Sequence, residues 1–266
     1  MLPFFSFFGK NISTYGLMAC IGIGAVSVLL AFLSRKTKIN FEATVLFMLF
    51  VCAGALLGGH ILYGITNIGK IHIFSEIKNI KDFIYAFQTI FGGLVFYGGL
   101  IGGVFGGVIG IKILKLNISF YADLMALSVP LFHGFARIGC FLGGCCYGIE
   151  SELGFASRGN TLVEAVNGVK RFPVQLLEAF FCFLIFTMLL IMFLYKKFKG
   201  GLFFVYLSIY AFVRFFDEFL RGDDIRGFVF GLSTSQFISI FVEIFAIVGI
   251  FIIKYNKDRS EKNCKE

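Results

Sequence analysis

Two arginines, Arg137 and Arg214, stand inside stretches of sequence that are otherwise apolar. An arginine held in a membrane costs at least ~2.5 kcal/mol on insertion scales, so it is kept where it faces a polar cavity and has a partner. Its guanidinium is always charged and presents a rigid fork of N–H donors that matches phosphate and carboxylate oxygens. The chemistry such a pair suits is stabilisation of an anion in a polar cavity. The structural alternative is an ion pair between helices, Arg214 with Glu178 or Glu218. His133 precedes Arg137 by four residues and shares its helix face. Arg221 follows Glu218 by three and is placed to pair with it. Gln175 stands at the head of an apolar run, where a helix-cap hydrogen bond is one use for it. A second group of reactive residues, Cys140, Cys145 and Cys146, follows Arg137 directly. Their C-x4-C-C spacing is open to a disulfide, a redox or structural role, or a metal. It matches no closed zinc site unless His133 supplies the fourth ligand, and neither a metal nor a cofactor is expected.

The elements that hold these residues are set by composition. The 266 residues are 58% hydrophobic and 15% charged, with 38 Phe, 32 Gly and no Trp. Such a chain is solvated by lipid rather than water. The expected fold class is an all-α integral membrane protein of about seven transmembrane helices, near residues 13–33, 41–66, 88–111, 119–142, 174–195, 201–221 and 234–254. Residues 1–266 read as a single polytopic membrane domain, with outer loops near 67–87 and 143–173 and a cytoplasmic tail over 255–266. The segment Ile149 to Arg171 is polar and without strong periodicity. The first residues, MLPFFSFFGKNIS, lack the basic region of a cleaved signal, so the first span is expected to remain.

Basic residues cluster in the short connections that would be cytoplasmic with the N-terminus outside: Arg35, Lys36 and Lys38; Lys112 and Lys115; Lys196, Lys197 and Lys199; and the tail from Lys254 to Lys265. An N-out, C-in orientation follows. The formal charge of +8 reads as orientation and contact with anionic lipid. No nucleic-acid motif is present, so the bilayer is the expected partner surface and nucleic acid is not. Glycines crowd residues 92–110 and 139–148, where helices can approach closely or the backbone can leave the helix. Cys20, Cys52 and Cys182 fall in apolar spans and behave as small hydrophobes.

Several segments, in order, resemble the prolipoprotein diacylglyceryl transferase family. His133-Gly-Phe-Ala-Arg137-Ile-Gly139 resembles the family signature, whose Arg-x-Gly closes a span. Tyr15-Gly16-Leu17-Met18 resembles its first-span motif, and Gly58-Gly59-His60-Ile61-Leu62-Tyr63 its Gly-Gly-Arg-x-x-Tyr segment. Phe96-Tyr97-Gly98-Gly99-Leu100-Ile101-Gly102 is similar to Phe-His-Gly-Gly-Leu-x-Gly. Arg171-Phe172-Pro173-Val174-Gln175-Leu176-Leu177-Glu178 is similar to His-Pro-x-Gln-Leu-Tyr-Glu, and Arg214 to Arg221 to an Arg-x-x-x-Glu-x-x-Arg helix.

The resemblance implies transfer of the diacylglyceryl group of phosphatidylglycerol to the lipobox cysteine of a prolipoprotein, with release of glycerol phosphate, in the inner membrane of a bacterium. Arg137 and Arg214 are then expected on the phosphate, with Tyr97 beside them as a catalytic group. Tyr15, Gly98, Gly99, His133, Gln175, Glu178, Glu218 and Arg221 are expected to line the substrate site. The pattern departs from the family at Tyr97, where His is usual, and after Gly139. There Cys140-Phe-Leu-Gly143-Gly144-Cys145 stands for Asn-Phe-x-Asn-Gly-Glu. Tyr ionises near ~10 and is a poor base at neutral pH. The substituted loop leaves two other classes open: a relative with the same donor and another acceptor such as a surface glycan, and a lipid-binding or transport protein.

Overall fold

The computed structural model describes residues 2–7, 9–37, 39–223 and 227–263. Lys38 and Lys265, which entered the charge reading, lie outside them. After a short antiparallel hairpin, β1 (Phe4–Phe7) and β2 (Lys10–Ser13), the chain runs through helices α1 (Thr14–Thr37), α2 (Phe41–Thr66), α3 (Ile80–Phe91), α4 (Phe96–Ile113) and α5 (Ile118–Gly143). Strand β3 (Glu150–Phe155) follows, then α6 (Val174–Leu194), α7 (Leu202–Asp217), a second small hairpin β4 (Phe228–Val229) and β5 (Leu232–Ser233), and α8 (Thr234–Asn263). Among the described residues, five helices are long and apolar enough to cross a membrane: α1, α2, α5, α6 and α8 up to Lys257. The chain is an all-α membrane protein at that level. The helix at Tyr97–Ile113 is apolar but shorter, and α7 has 16 residues.

The chain divides into two compact units, residues 1–29 with 119–266 and residues 30–118. In the second unit the proposed span at 88–111 is broken. Helix α3 ends with Gly92 as its C-cap, and α4 begins only at Phe96. A side chain at Gly92 would strike the Gln88 carbonyl, and one at Gly93 would strike the Tyr63 ring. The chain therefore leaves the helix where only hydrogen fits, and Val95 N–H donates to the Gly59 carbonyl at 3.1 Å. The expected loop over 67–87 is also largely helical. A 3-10 helix covers Ile68–Glu76. Asn79 then caps α3, its Oδ1 accepting from Lys81 and Asp82 N–H at 2.9 and 3.0 Å. Hydropathy missed α3 because its apolar residues lie on one face rather than all round.

Helices α2 and α4 pack backbone to backbone. A Cβ at Gly102 would meet the Gly54 carbonyl, one at Gly98 the Gly58 carbonyl, and the reciprocal positions on α2 are equally tight. Small residues at matching turns are what lets two helices approach without a hydrophobic force between them in lipid. The glycine stripe of α4 has this packing use.

In the first unit, α5 carries the core face, with Leu124, Leu127, Leu131, Ala136 and Cys140 buried at helical spacing. Asp123, near the start of α5, is buried. Its two carboxylate oxygens accept from Gly200 N–H at 2.6 Å and Leu202 N–H at 2.9 Å. This ties the turn before α7, and the orphan donors of that helix start, to α5. The segment Ile149 to Arg171, read as polar and without strong periodicity, is ordered by local side chains. Asn160 is buried, its Oδ1 accepts from Leu162 and Val163 N–H, and its Nδ2 donates to the Gly143 carbonyl at 3.0 Å. Asn turns of this kind leave no periodicity for hydropathy to detect.

Gly102→Leu is expected to lower the detergent-solubilised unfolding temperature clearly, by a destabilisation on the order of 1–3 kcal/mol. Gly24→Leu, where an added Cβ would meet nothing within 4 Å, should leave it nearly unchanged. Equal losses at the two positions would exclude close α2–α4 packing as the reason.

Candidate active site

A single carboxylate organises the polar interior of the first unit. Glu178, one turn into α6, is fully buried. Its Oε1 accepts from Arg137 Nη2 of α5 at 2.9 Å and from Tyr210 O–H of α7 at 2.9 Å. His133 Nε2 lies 3.7 Å from the same oxygen, and its ring stands 5.3 Å from that of Tyr210. His133 and Arg137 share a face of α5 as their spacing requires. Tyr206, Tyr210 and Arg214 repeat every four residues along α7, which puts all three on one face as well. Tyr206 and Tyr210 are stacked with centroids 5.8 Å apart.

Arg214 forms the second pair. Its Nη2 meets Glu218 Oε2 at 2.6 Å and donates to Ser235 Oγ at 3.0 Å. Arg214 and Arg137 both act electrostatically on Glu178, so the two arginines share one cluster. Arg221 is the third. It was expected to pair with Glu218. Its fork instead closes on Asp223, Nε and Nη2 donating at 2.8 and 2.7 Å. The cause is the end of α7 at Asp217. A 3-10 turn follows over Glu218–Leu220, and Arg221 takes an extended backbone that turns it off the helix face.

The thiols stand beside these arginines. The sulfurs of Cys140, Cys145 and Cys146 lie within 4.8 Å of one another. Helix α5 ends at Gly143, and Gly144, with φ of 83°, returns its N–H to the Cys140 carbonyl at 2.9 Å. Cys146 then adopts φ of 59°, a left-handed conformation that costs a non-glycine residue on the order of 1–3 kcal/mol. That backbone turns its thiol back onto Cys140. Arg221 and Arg137 are both within electrostatic range of Cys146, and Arg137 of Cys140 as well. Hydrogen bonds from the Cys140 and Cys145 thiols, and then the charges of Arg221 and Arg137, pull the Cys146 thiol below its ordinary pKa despite burial.

The structure thus brings together His133, Arg137, Glu178, Arg214, Glu218 and Arg221. Tyr15 joins them by packing over Gly139, and it lies in electrostatic range of Arg137 and the three thiols. Gln175 is buried and donates through Nε2 to the Cys145 carbonyl at 2.8 Å, so it supports the thiol loop. Tyr97, Gly98 and Gly99 belong to the other unit, at the start of α4. Tyr97 is exposed there, and Gly98 is packed against α2. Sequence reasoning missed Tyr210, Ser235 and Asp223. Tyr210 carried a signal, since it lies four residues before Arg214.

The donor set has one further property. Arg137 Nε, Arg214 Nη1 and Arg221 Nη1 are buried and have no hydrogen-bond partner among the described residues. Buried guanidinium donors left unpaired in a protein interior call for an anion.

The comparisons with known proteins agree with this chemistry. The profile of the family described as prolipoprotein diacylglyceryl transferase matches residues 3–252. The chain belongs to that family. It is 39% identical over 97% of its length, and 96% of the relative's, to phosphatidylglycerol–prolipoprotein diacylglyceryl transferase 2 of Clostridium perfringens. It is 36% identical to the corresponding transferase of Clostridium tetani, covering 97% of this chain and 98% of the relative. The transferase of Campylobacter hominis is 31% identical, covering 97% of this chain and 92% of the relative.

Glu178→Ala leaves Arg137 a buried charge without its carboxylate. The expected loss of stability is about 3–5 kcal/mol, read as a lower unfolding temperature in detergent. Tyr210→Phe removes one hydrogen bond to the same oxygen and should cost about 1 kcal/mol. Equal effects would show that the carboxylate does not carry the cluster.

Proposed function

We propose that this transferase moves the diacylglyceryl group of phosphatidylglycerol onto the lipobox cysteine thiol of prolipoproteins, forming a thioether and releasing glycerol phosphate. The observation that carries the reading is the trio of unpaired, buried guanidinium donors on Arg137, Arg214 and Arg221, in a chain whose relatives are named for this reaction. The thiolate attacks the glyceryl carbon while the carbon–oxygen bond to phosphate breaks and the electron pair leaves on the phosphate. A phosphodiester monoanion thereby becomes a phosphate monoester of higher charge, and fixed cationic donors stabilise that change more than they stabilise bound substrate.

Arg137 and Arg214 hold the phosphate. Glu178 and Glu218 fix their orientation, as the carboxylates already occupy one edge of each guanidinium and leave others to the lipid. His133 and Tyr15 line the same polar space, and Gln175 holds the loop that closes it. The chain crosses the cytoplasmic membrane of a bacterium seven times as a single polytopic domain, N-out and C-in, with α4 and α7 as the two short spans. The lipid headgroup then enters from the outer leaflet.

The test is incubation of purified protein with phosphatidylglycerol and a lipobox peptide, following glycerol phosphate. Arg137→Ala and Arg214→Ala should each lower the rate by a factor on the order of 100 or more. The acceptor is tested with a deletion strain, where unmodified prolipoproteins are expected. Fully lipidated prolipoproteins with altered surface glycans would assign the transfer to a different acceptor.

A further inference from the structure

The three thiols are unexplained by the phosphate clamp, although they border it. Their sulfurs lie within 4.8 Å of one another, and no fourth His, Cys, Asp or Glu joins them among the described residues. Three thiolates at about 2.3 Å from one metal ion are separated by roughly 4 Å, so the arrangement is close to that of a three-coordinate thiolate face. Three protein ligands and one position left open is the pattern of a catalytic rather than a structural zinc site. The backbone supports the arrangement at a cost. Cys146 is held at positive φ, Gln175 fixes the Cys145 carbonyl at 2.8 Å, and Asn160 fixes the Gly143 carbonyl at 3.0 Å. Three thiolates around a divalent cation carry one net negative charge, and the guanidiniums of Arg221 and Arg137 offset it.

We propose that Cys140, Cys145 and Cys146 bind a thiophilic divalent cation of the zinc type, whose open fourth position takes the sulfur of the acceptor cysteine and presents it to the lipid held by the arginines. The role of the metal ion rests on the transferase reading above; its binding does not. Coordination removes the thiol proton, which passes to water, because a metal-bound thiol is deprotonated outright. The bound sulfur then forms its bond to the glyceryl carbon as the carbon–oxygen bond breaks, and the electron pair departs on the phosphate. The metal ion keeps its oxidation state. The neutral thioether is a weaker ligand than the thiolate and dissociates, so the site turns over. The expectation that no metal is needed rested on arginine meeting the leaving-group charge; a metal ion here would act on the acceptor sulfur instead.

The experiment uses the full-length protein in detergent, reduced, stripped with a chelator and titrated with Co(II). One equivalent should bind with the charge-transfer and intense d–d absorption of tetrahedral thiolate coordination. A lipobox peptide should then shift the d–d bands, and its Cys→Ser analogue should not. Cys145→Ser and Cys146→Ser should each weaken binding about tenfold or more, while Cys20→Ser and Cys52→Ser leave it unchanged. Three results would overturn the inference: binding that survives both loop substitutions, a spectrum indifferent to the peptide thiol, or a disulfide between two of the three thiols that forms in the working enzyme. Stripped protein that transfers as fast as the zinc-loaded form also overturns it, yet leaves the transferase reading intact. A thiol-dependent spectral change without any transfer from phosphatidylglycerol supports the site and overturns that reading instead.

Discussion

The buried carboxylate of Glu178 is the interaction on which the first unit depends. A lone charge in such a setting is costly enough that it persists only with partners. Here the partners come from two other helices: Arg137 of α5 and Tyr210 of α7 both meet one oxygen of a residue on α6. The carboxylate thus fixes the rotation of three helices at once, because a helix turned by one residue moves its polar group by about 100°. What would be a penalty for each residue alone becomes a constraint on register. The same pairing occupies only part of each guanidinium, so the arginines are held in place with donors to spare.

The surrounding elements can be understood as supports for that arrangement. Asp123 ties the start of α7 to α5, which sets the position of Tyr210 and Arg214 along α5. Glu218 and Ser235 hold the Arg214 side chain at the other end of α7. The Asn160 turns hold the loop after α5, and that loop carries the thiols. In the second unit a different physics operates. Polar groups are few, and α2 and α4 are brought together by the absence of side chains at Gly54, Gly58, Gly98 and Gly102. Packing area and carbonyl contacts do there what ion pairs do in the first unit.

Family membership and site chemistry also constrain each other. The relatives' names specify a phosphate-containing lipid donor, and the unpaired guanidinium donors are what such a donor requires. The loop after Gly139 is where this chain has its own character. Cys140 stands where the family pattern has an amide and Cys145 where it has a carboxylate, and Cys146, held at positive φ, completes the group of thiols.

Much of this was determined by sequence alone. Membrane residence follows from composition, since lipid leaves an apolar helix as the least costly way to satisfy the backbone. The need of Arg137 and Arg214 for polar partners follows from their cost in an apolar run, and the sharing of a face by His133 and Arg137 from helical geometry. Other features were decided only in three dimensions. Whether Arg221 takes Glu218 or Asp223 depends on where α7 stops, and the chain gives no strong stop signal there. Residue spacing within a helix cannot say which helix Glu178 faces, so its union with Tyr210, 32 residues away, was invisible. The break at Gly92 and Gly93 was hidden by hydropathy, which averages over a turn that only contact with Gln88 and Tyr63 enforces. Sequence specifies which groups must find partners. Tertiary structure chooses the partners, because that choice is made between residues distant in the chain and close in space.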